Sequence, residues 1–361
     1  MVKKIFLNLF LLIFVFFLCL ISILATIGIE TNRFNDIISK KINETNNKIN
    51  LDLTTIKFKL DLKEISLYLE TKNSKVNYKK TTIPAQNIKV YINFISLLKS
   101  NPKIKKISLV LNQLDINQLK EISESLKPSN FTSFLNNKIK KGKLNTELEI
   151  YLNEKNLLDN FIARGSFENL TAEIFKDITL EKTNFNFFAD KSDILLKNIF
   201  SELGSSKLTN GNLRLHLSPE ISLETSFKTN LKYNDQYKKI LNLFKGNQYI
   251  KNTSNFQADL NNTFTISFDK TYKVKNYNFK CNGKIYSAVL DFKKPFDNFF
   301  LDKSINQLLL TNSKIKTTIT PIKNSIDLSG NYSLDKEKVK LLSFNLKSVV
   351  KDNIHNLKLD A

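Results

Sequence analysis

Apolar residues recur at every second position in stretch after stretch of this chain, and that period confines most of it to β-strands. Ile56, Phe58, Leu60 and Leu62 open the series, followed by Ile65, Leu67 and Leu69, by Ile88, Val90, Ile92 and Phe94, and by Ile107, Leu109 and Leu111. The same spacing returns at Leu144 to Leu152, Phe161 to Phe167, Leu213 to Leu217, Phe264 to Phe268, Ile315 to Ile319 and Ile326 to Tyr332. Side chains alternate between the two faces of a strand, so each segment presents one apolar and one polar face. Successive strands separated by short turns predict antiparallel meanders, because a parallel pair needs a crossover of about a dozen residues. With only 8 Gly and 6 Pro in 361 residues, the 46 Asn must supply much of the turn chemistry.

Three stretches break the alternation and read as helix or loop: Gln118 to Ile139, Tyr233 to Ile250 and Pro295 to Leu310. Upstream, Ile5 to Ile29 is apolar apart from Asn8, Ser22 and Thr26, long enough to cross a bilayer core of about 30 Å at about 1.5 Å per residue. The run exceeds the apolar region of a cleavable signal peptide, and Ile23-Leu24-Ala25 is a poor cleavage site, so an uncleaved anchor is expected. Cys19 follows Leu18 rather than a small residue and reads as an ordinary helix position. Lys3 and Lys4 precede the span and Glu30 follows it, which leaves the N-terminus in the cytoplasm and the body outside it. Phe34, Ile37, Ile38, Ile42 and Ile49 then fall near helical spacing, predicting a short amphipathic helix.

Beyond the span the only cysteine is Cys281, so no intramolecular disulfide holds the body together. The net charge of +21 is spread along the chain, without an aromatic RNA-binding motif, a zinc finger or a concentrated arginine cluster. No nucleic-acid partner is expected, and anionic headgroups are the better electrostatic match. Neither His216 nor His355 has a second ligand at metal-binding spacing, and the glycines form no phosphate loop. The expectation is therefore a protein that is not an enzyme and carries no cofactor or metal.

An alternating sheet must hide its apolar face. A second sheet would do so in a closed sandwich; a curved trough would leave the face open to acyl chains, and alternation alone does not choose between them. For the trough, the candidate lining residues are Ile56, Phe58, Leu60, Leu67, Val90, Ile92, Leu109 and Leu111, with Phe187 further on. A buried methylene is worth about 0.8 kcal/mol, so a sixteen-carbon chain gains on the order of 12 kcal/mol from such shelter.

The stretch Ile88-Lys89-Val90-Tyr91-Ile92-Asn93-Phe94-Ile95-Ser96-Leu97-Leu98, then Pro102-Lys103-Ile104-Lys105-Lys106-Ile107-Ser108-Leu109 and Leu114-Asp115-Ile116, resembles the AsmA family over about residues 1 to 120. Order and spacing agree, from the basic start through the span to a strand ending in a leucine pair. Ser100-Asn101 departs from the glycine that relatives often carry before the next strand. The resemblance, which extends to the TamB and YhdP relatives, implies a bacterial inner-membrane anchor and a periplasmic β-groove. It also implies phospholipid or other acyl-lipid transport, or outer-membrane homeostasis, in company with other envelope proteins.

The expected organisation is a cytoplasmic stub and anchor over 1–29, an AsmA-like β-groove segment over 30–140, and a continuing β-rich periplasmic segment over 141–361. The fold class is mainly β: a transmembrane helix and a short amphipathic helix, then a long curved antiparallel sheet with a few interposed helices. Leu357 and Leu359 still alternate at the end, which leaves open whether Ala361 is the native terminus. The competing reading is a non-enzymatic envelope scaffold, a closed β-sandwich without lipid.

Overall fold

A computed structural model describes every residue except 1, 32–34, 36–38, 41–48, 53–54, 65, 80, 93–102, 126–129, 156, 176, 219, 234–238, 240–249, 270, 272, 299–302, 335–341, 352–353 and 361. The expected mainly β chain holds, with a long, open, curved antiparallel sheet and few helices. Two compact units divide it. One comprises Met1–Leu135 with Leu144–Gly165, the other Asn136–Lys143 with Ser166–Ala361. The boundary expected near residue 140 falls within a strand, Ile139–Leu152, whose residues are shared between the units.

The first unit begins with α1 (Val2–Thr26), the expected apolar helix. Its 22-residue apolar stretch, Ile5–Thr26, is long enough to cross a membrane, and none of it is buried against the protein. Gly28 ends the helix: at φ +78° it donates to Ile23 O at 2.8 Å, a left-handed cap. A Cβ there would stand 2.6 Å from Lys59 Cγ, so the site excludes every other residue without rearrangement. Directly after it, β1 (Ile29–Thr31) pairs with β3 (Ile56–Asp61), Ile29 facing Phe58.

The sheet continues through β4 (Ser66–Lys72), β6 (Thr81–Ile92), β7 (Ile104–Leu111) and β9 (Ile139–Leu152), each antiparallel to the last. A side branch pairs β2 (Ile49–Asp52) with β5 (Lys75–Tyr78) and β5 with the start of β6. The amphipathic helix expected after the span lies outside the described residues, except that Ile49 opens β2 rather than a helix turn.

After the short β8 (Leu114–Asp115), the first break in alternation becomes α2 (Ile116–Ser125) and α3 (Asn130–Lys138). A reciprocal cap starts α2. Asp115 Oδ1 accepts from the Asn117 and Gln118 amides at 2.9 Å, and Gln118 Oε1 accepts from the Asp115 amide at 3.0 Å.

The second unit is a meander. From β11 (Ile178–Ala189), strands β12 (Asp193–Leu203), β13 (Ser206–His216), β14 (Ile221–Lys232), β15 (Ile250–Phe268), β16 (Val274–Asn298), β17 (Lys303–Ile319), β18 (Lys323–Leu334), β19 (Leu342–Lys351) and β20 (Ile354–Asp360) each pair antiparallel with the next. No described pairing closes this meander into a barrel. Preceding it, β10 (Leu158–Phe175) is shared between the units.

Bulges bend these strands, and asparagine sits at several of them. Among the described residues, six of the nine non-glycine positions at positive φ are Asn. Asn198, Asn210, Asn255 and Asn312 each sit at a register slip of their strand, as does Lys182. A left-handed residue inserted into one strand of a pair increases local twist and bend, and the short Asn side chain tolerates that conformation best after glycine.

The stretch Pro295 to Leu310, expected as helix or loop, is corrected to strand where it is described. Between Asp291 and Phe296 the register of β16 slips against β17, so Pro295 sits where the ladder asks for no amide hydrogen. The break expected at Tyr233 to Ile250 lies almost wholly outside the described residues, and Ile250 begins β15.

Candidate functional site

Register places all eight candidate lining residues on one face of the first unit's sheet. Phe58 faces Leu69, Leu60 faces Leu67, Leu67 faces Ile92, and Val90 faces Ile107. Ile56, Val90 and Ile92 join Leu69, Ala85 and Ile88 in one buried cluster, with Phe58 and Leu109 packed on its margin. Ile56 is 1% exposed and Val90 5%, and Val76 of β5 packs against the cluster to which they belong. Leu67 is buried, whereas Leu60 and Leu111 are half-buried. In this unit the apolar face is occupied by the protein's own side chains around Ile56 and Val90, and loosens toward Leu60 and Leu111.

The second unit differs. One register row runs Phe187, Leu196, Leu213, Thr225, Phe264, Phe279 and Ile319 across seven strands. Beside it Ile194, Leu215, Leu223, Ile266 and Tyr277 form a second. Every side chain in both rows is half-buried rather than buried. Further along, Leu260, Gly283, Ile315, Leu328, Leu346 and Leu359 share the same face. It closes into a buried apolar cluster near Ala258, Ile285, Ala288 and Leu310, and Thr183, Ser201, Asn262, Cys281 and Thr317 are buried on it as well. Of these residues only Phe187 had been named as a lining candidate, although alternation at Leu213 to Leu217 and Phe264 to Phe268 had marked the strands.

The opposite face of the first unit carries an ordered polar ladder. Lys59, Tyr68, Tyr91, Lys106 and Tyr151 form one row from β3 to β9. Tyr68 and Tyr91 stack at 5.2 Å, and Lys106 Nζ lies 4.2 Å from the Tyr91 ring centre while pairing with Glu64. The Tyr91 hydroxyl donates to Asp61 Oδ2 at 3.3 Å, and burial with the adjacent carboxylates pushes the phenol pKa upward. Tyr151, half-buried and donating to Glu149 at 2.7 Å, is pushed up to about 12 by partial burial and the Glu149 carboxylate. Both phenols keep their protons and remain donors.

In the neighbouring row Glu70 is 5% exposed, with Lys59 Nζ at 2.8 Å and the Asn87 amide donating at 2.9 Å. Burial alone would raise the Glu70 carboxyl pKa, yet the Lys59 and Asn87 hydrogen bonds and the charges of Lys59 and Lys89 bring it below its ordinary value. A depressed carboxylate stabilises the fold fully above its unfolded pKa of about 4.3, and that contribution disappears as pH falls through the lower folded value. Thermal melts at pH 6 and pH 3 should therefore show a smaller acid-induced loss in Glu70→Gln than in the unaltered chain; an equal loss would contradict this.

In the second unit His216 lies on the polar face as expected, its Nδ1 2.7 Å from Asp193 Oδ1, which also accepts from Arg214 Nε at 2.9 Å. Among the described residues no group of three His, Cys, Asp or Glu side chains is placed to hold a metal ion. His355 has no described side chain, and the leucine pair Leu97-Leu98 lies outside the described residues. Comparison with protein-family models, with curated proteins and with solved structures returns no match.

Proposed function

We propose that this chain is an AsmA-like, membrane-anchored envelope protein whose second unit shelters lipid acyl chains on its apolar sheet face. Its work is to assist phospholipid transport or outer-membrane homeostasis. In this reading α1 spans the bacterial inner membrane with the N-terminus in the cytoplasm, and the β body is periplasmic. The observation that carries the reading is the half-buried apolar face from Phe187 to Ile319. Two adjacent rows of aliphatic and aromatic side chains cross the meander on that one face. A protein that only had to fold would gain by covering these side chains, at about 25 cal/mol per Å² of apolar surface removed from water. The basic surplus suits anionic headgroups at the entrance to such a face.

The filled cluster around Ile56 and Val90 favours a different role for the first unit, that of a scaffold carrying the second. It is the part of the structure closest to the runner-up reading of a closed interaction module, and other envelope proteins are its natural partners.

Cells producing the full chain and fed fatty acids with a diazirine in the acyl chain test the proposal directly. After illumination, crosslinked peptides should map to residues 213–215, 264–266 and 277–279. Crosslinks confined to α1 would mean that only the surrounding bilayer had been touched, and the sheltering role would fall.

A further inference from the structure

The route by which α1 enters the sheet fixes one end of the first unit. Thr26 ends the helix, Gly28 caps it, and Ile29 is already paired with Phe58, so two residues separate helix from ladder. Glu30 and Lys57 add an ion pair at 3.1 Å across that junction. Because β1 is antiparallel to β3, α1 lies beyond the end of the sheet toward which β3 runs, and it contacts β3. Four residues past Phe58, about 13 Å along the strand, β3 turns at Leu62.

The same end of the sheet carries a second turn. The row from Lys59 to Tyr151 crosses β3, β4, β6, β7 and β9, and just past its two extremities lie the turns 61–64 and 153–157. Both turns are closed by their own side chains. Asp61 Oδ1 accepts from the Lys63 and Glu64 amides at 3.0 and 3.2 Å, and Asn153 Oδ1 from the Lys155 and Leu157 amides at 2.9 and 3.1 Å. Such turns need no apolar residue, yet Leu62 is 61% exposed, Leu157 61% and Leu158 55%, with exposed Lys63 following Leu62 and exposed Lys155 two residues before Leu157. The exposed acids of this rim are Glu64, which pairs with Lys106, Glu154 and Asp159.

Resting on the reading of α1 as a membrane anchor, we infer that this rim is a membrane seat. Leu62, Leu157 and Leu158 enter the interface of the leaflet into which α1 emerges, and Lys63 and Lys155 meet anionic headgroups there. Leucine flanked by lysine suits that boundary, the aliphatic side chain among acyl carbons and the ammonium at phosphate depth. The Tyr68, Tyr91 and Lys106 stack one step behind stiffens the strands that carry the turns. The seat holds the whole first unit against the bilayer instead of letting it swing on a tether.

The full chain with Cys19→Ser and Cys281→Ala, labelled with a nitrobenzoxadiazole probe at single introduced cysteines, tests this. It is reconstituted in phosphatidylcholine vesicles containing phosphatidylglycerol, with or without brominated acyl chains. Probes at Leu62→Cys and Leu157→Cys should lose about half their emission to the brominated lipid, as a helix probe at Phe14→Cys does, while Lys284→Cys is unaffected. Quenching at Phe14 without quenching at Leu62 and Leu157 overturns the seat and leaves the anchor standing. An absence of quenching at Phe14 removes the anchor, and the seat with it.

Discussion

Replacing Val90 by Asp is expected to unfold the first unit. Val90 is 5% exposed, faces Leu69 on one side and Ile107 on the other, and belongs to the cluster centred on Ile56 and Ile88. The substitution removes a buried aliphatic side chain and puts a carboxylate among the apolar residues of that cluster, a cost of about 4 kcal/mol or more. Against a total stability of about 5–15 kcal/mol, that is enough to melt a marginal unit. Leu213→Asp is the informative comparison, because Leu213 is half-buried on the second unit's face and its carboxylate can reach water. It should shift stability by about 1 kcal/mol or less while abolishing acyl crosslinking at residues 213–215. Proteolysis and thermal melts of both variants in detergent would show the difference. If Val90→Asp melts with the unaltered chain, the face there is not sealed, and the division of labour between the units is wrong.

Gly283→Val should cost nearly as much, by a different route. A Cβ at Gly283 would meet Asp259 O at 2.0 Å and Leu260 Cα at 2.8 Å, both of them backbone atoms. Gly283 is held in register with Leu260 on one side and Ile315 on the other, inside the two longest paired strands, so neither neighbour can withdraw without breaking a ladder. About 3 kcal/mol or more is expected, read as lost hydrogen-exchange protection along β15 and β16. Lys280→Ala, exposed on the same strand, should change protection little. Normal protection in Gly283→Val would mean that the strands lie further apart than described.

Ile56, Phe58, Leu60 and Leu67 were legible as a shared face because no bulge interrupts the pairing of β3 with β4, so the period of two runs unbroken through each of those strands. Strands β11 and β12 were hidden by the opposite circumstance. In β11 the apolar phase runs Ile178, Leu180, then Phe185, Phe187, with Lys182 inserted at positive φ; in β12 it runs Ile194, Leu196, then Ile199, with Asn198 inserted. One extra residue moves every later side chain to the other phase, and a strict alternation test no longer finds the strand. Pro295 misled in the same way, since a proline argues against a strand unless a register slip releases its amide position.

By itself, the sequence determined the membrane-length helix, the antiparallel β class and the membership of the apolar face. Each depends on composition or period along one segment, and neighbours in sequence are enough to enforce it. Whether that face is sealed or open was decided only in three dimensions. Val90 and Leu213 carry the same kind of side chain in the same kind of strand, and they differ in that Val90 belongs to a buried cluster against which Val76 packs, whereas Leu213 is half-buried. The seat at Leu62 and Leu157 is likewise a tertiary fact, because pairing across five strands brings two turns some ninety residues apart to the end at which α1 enters.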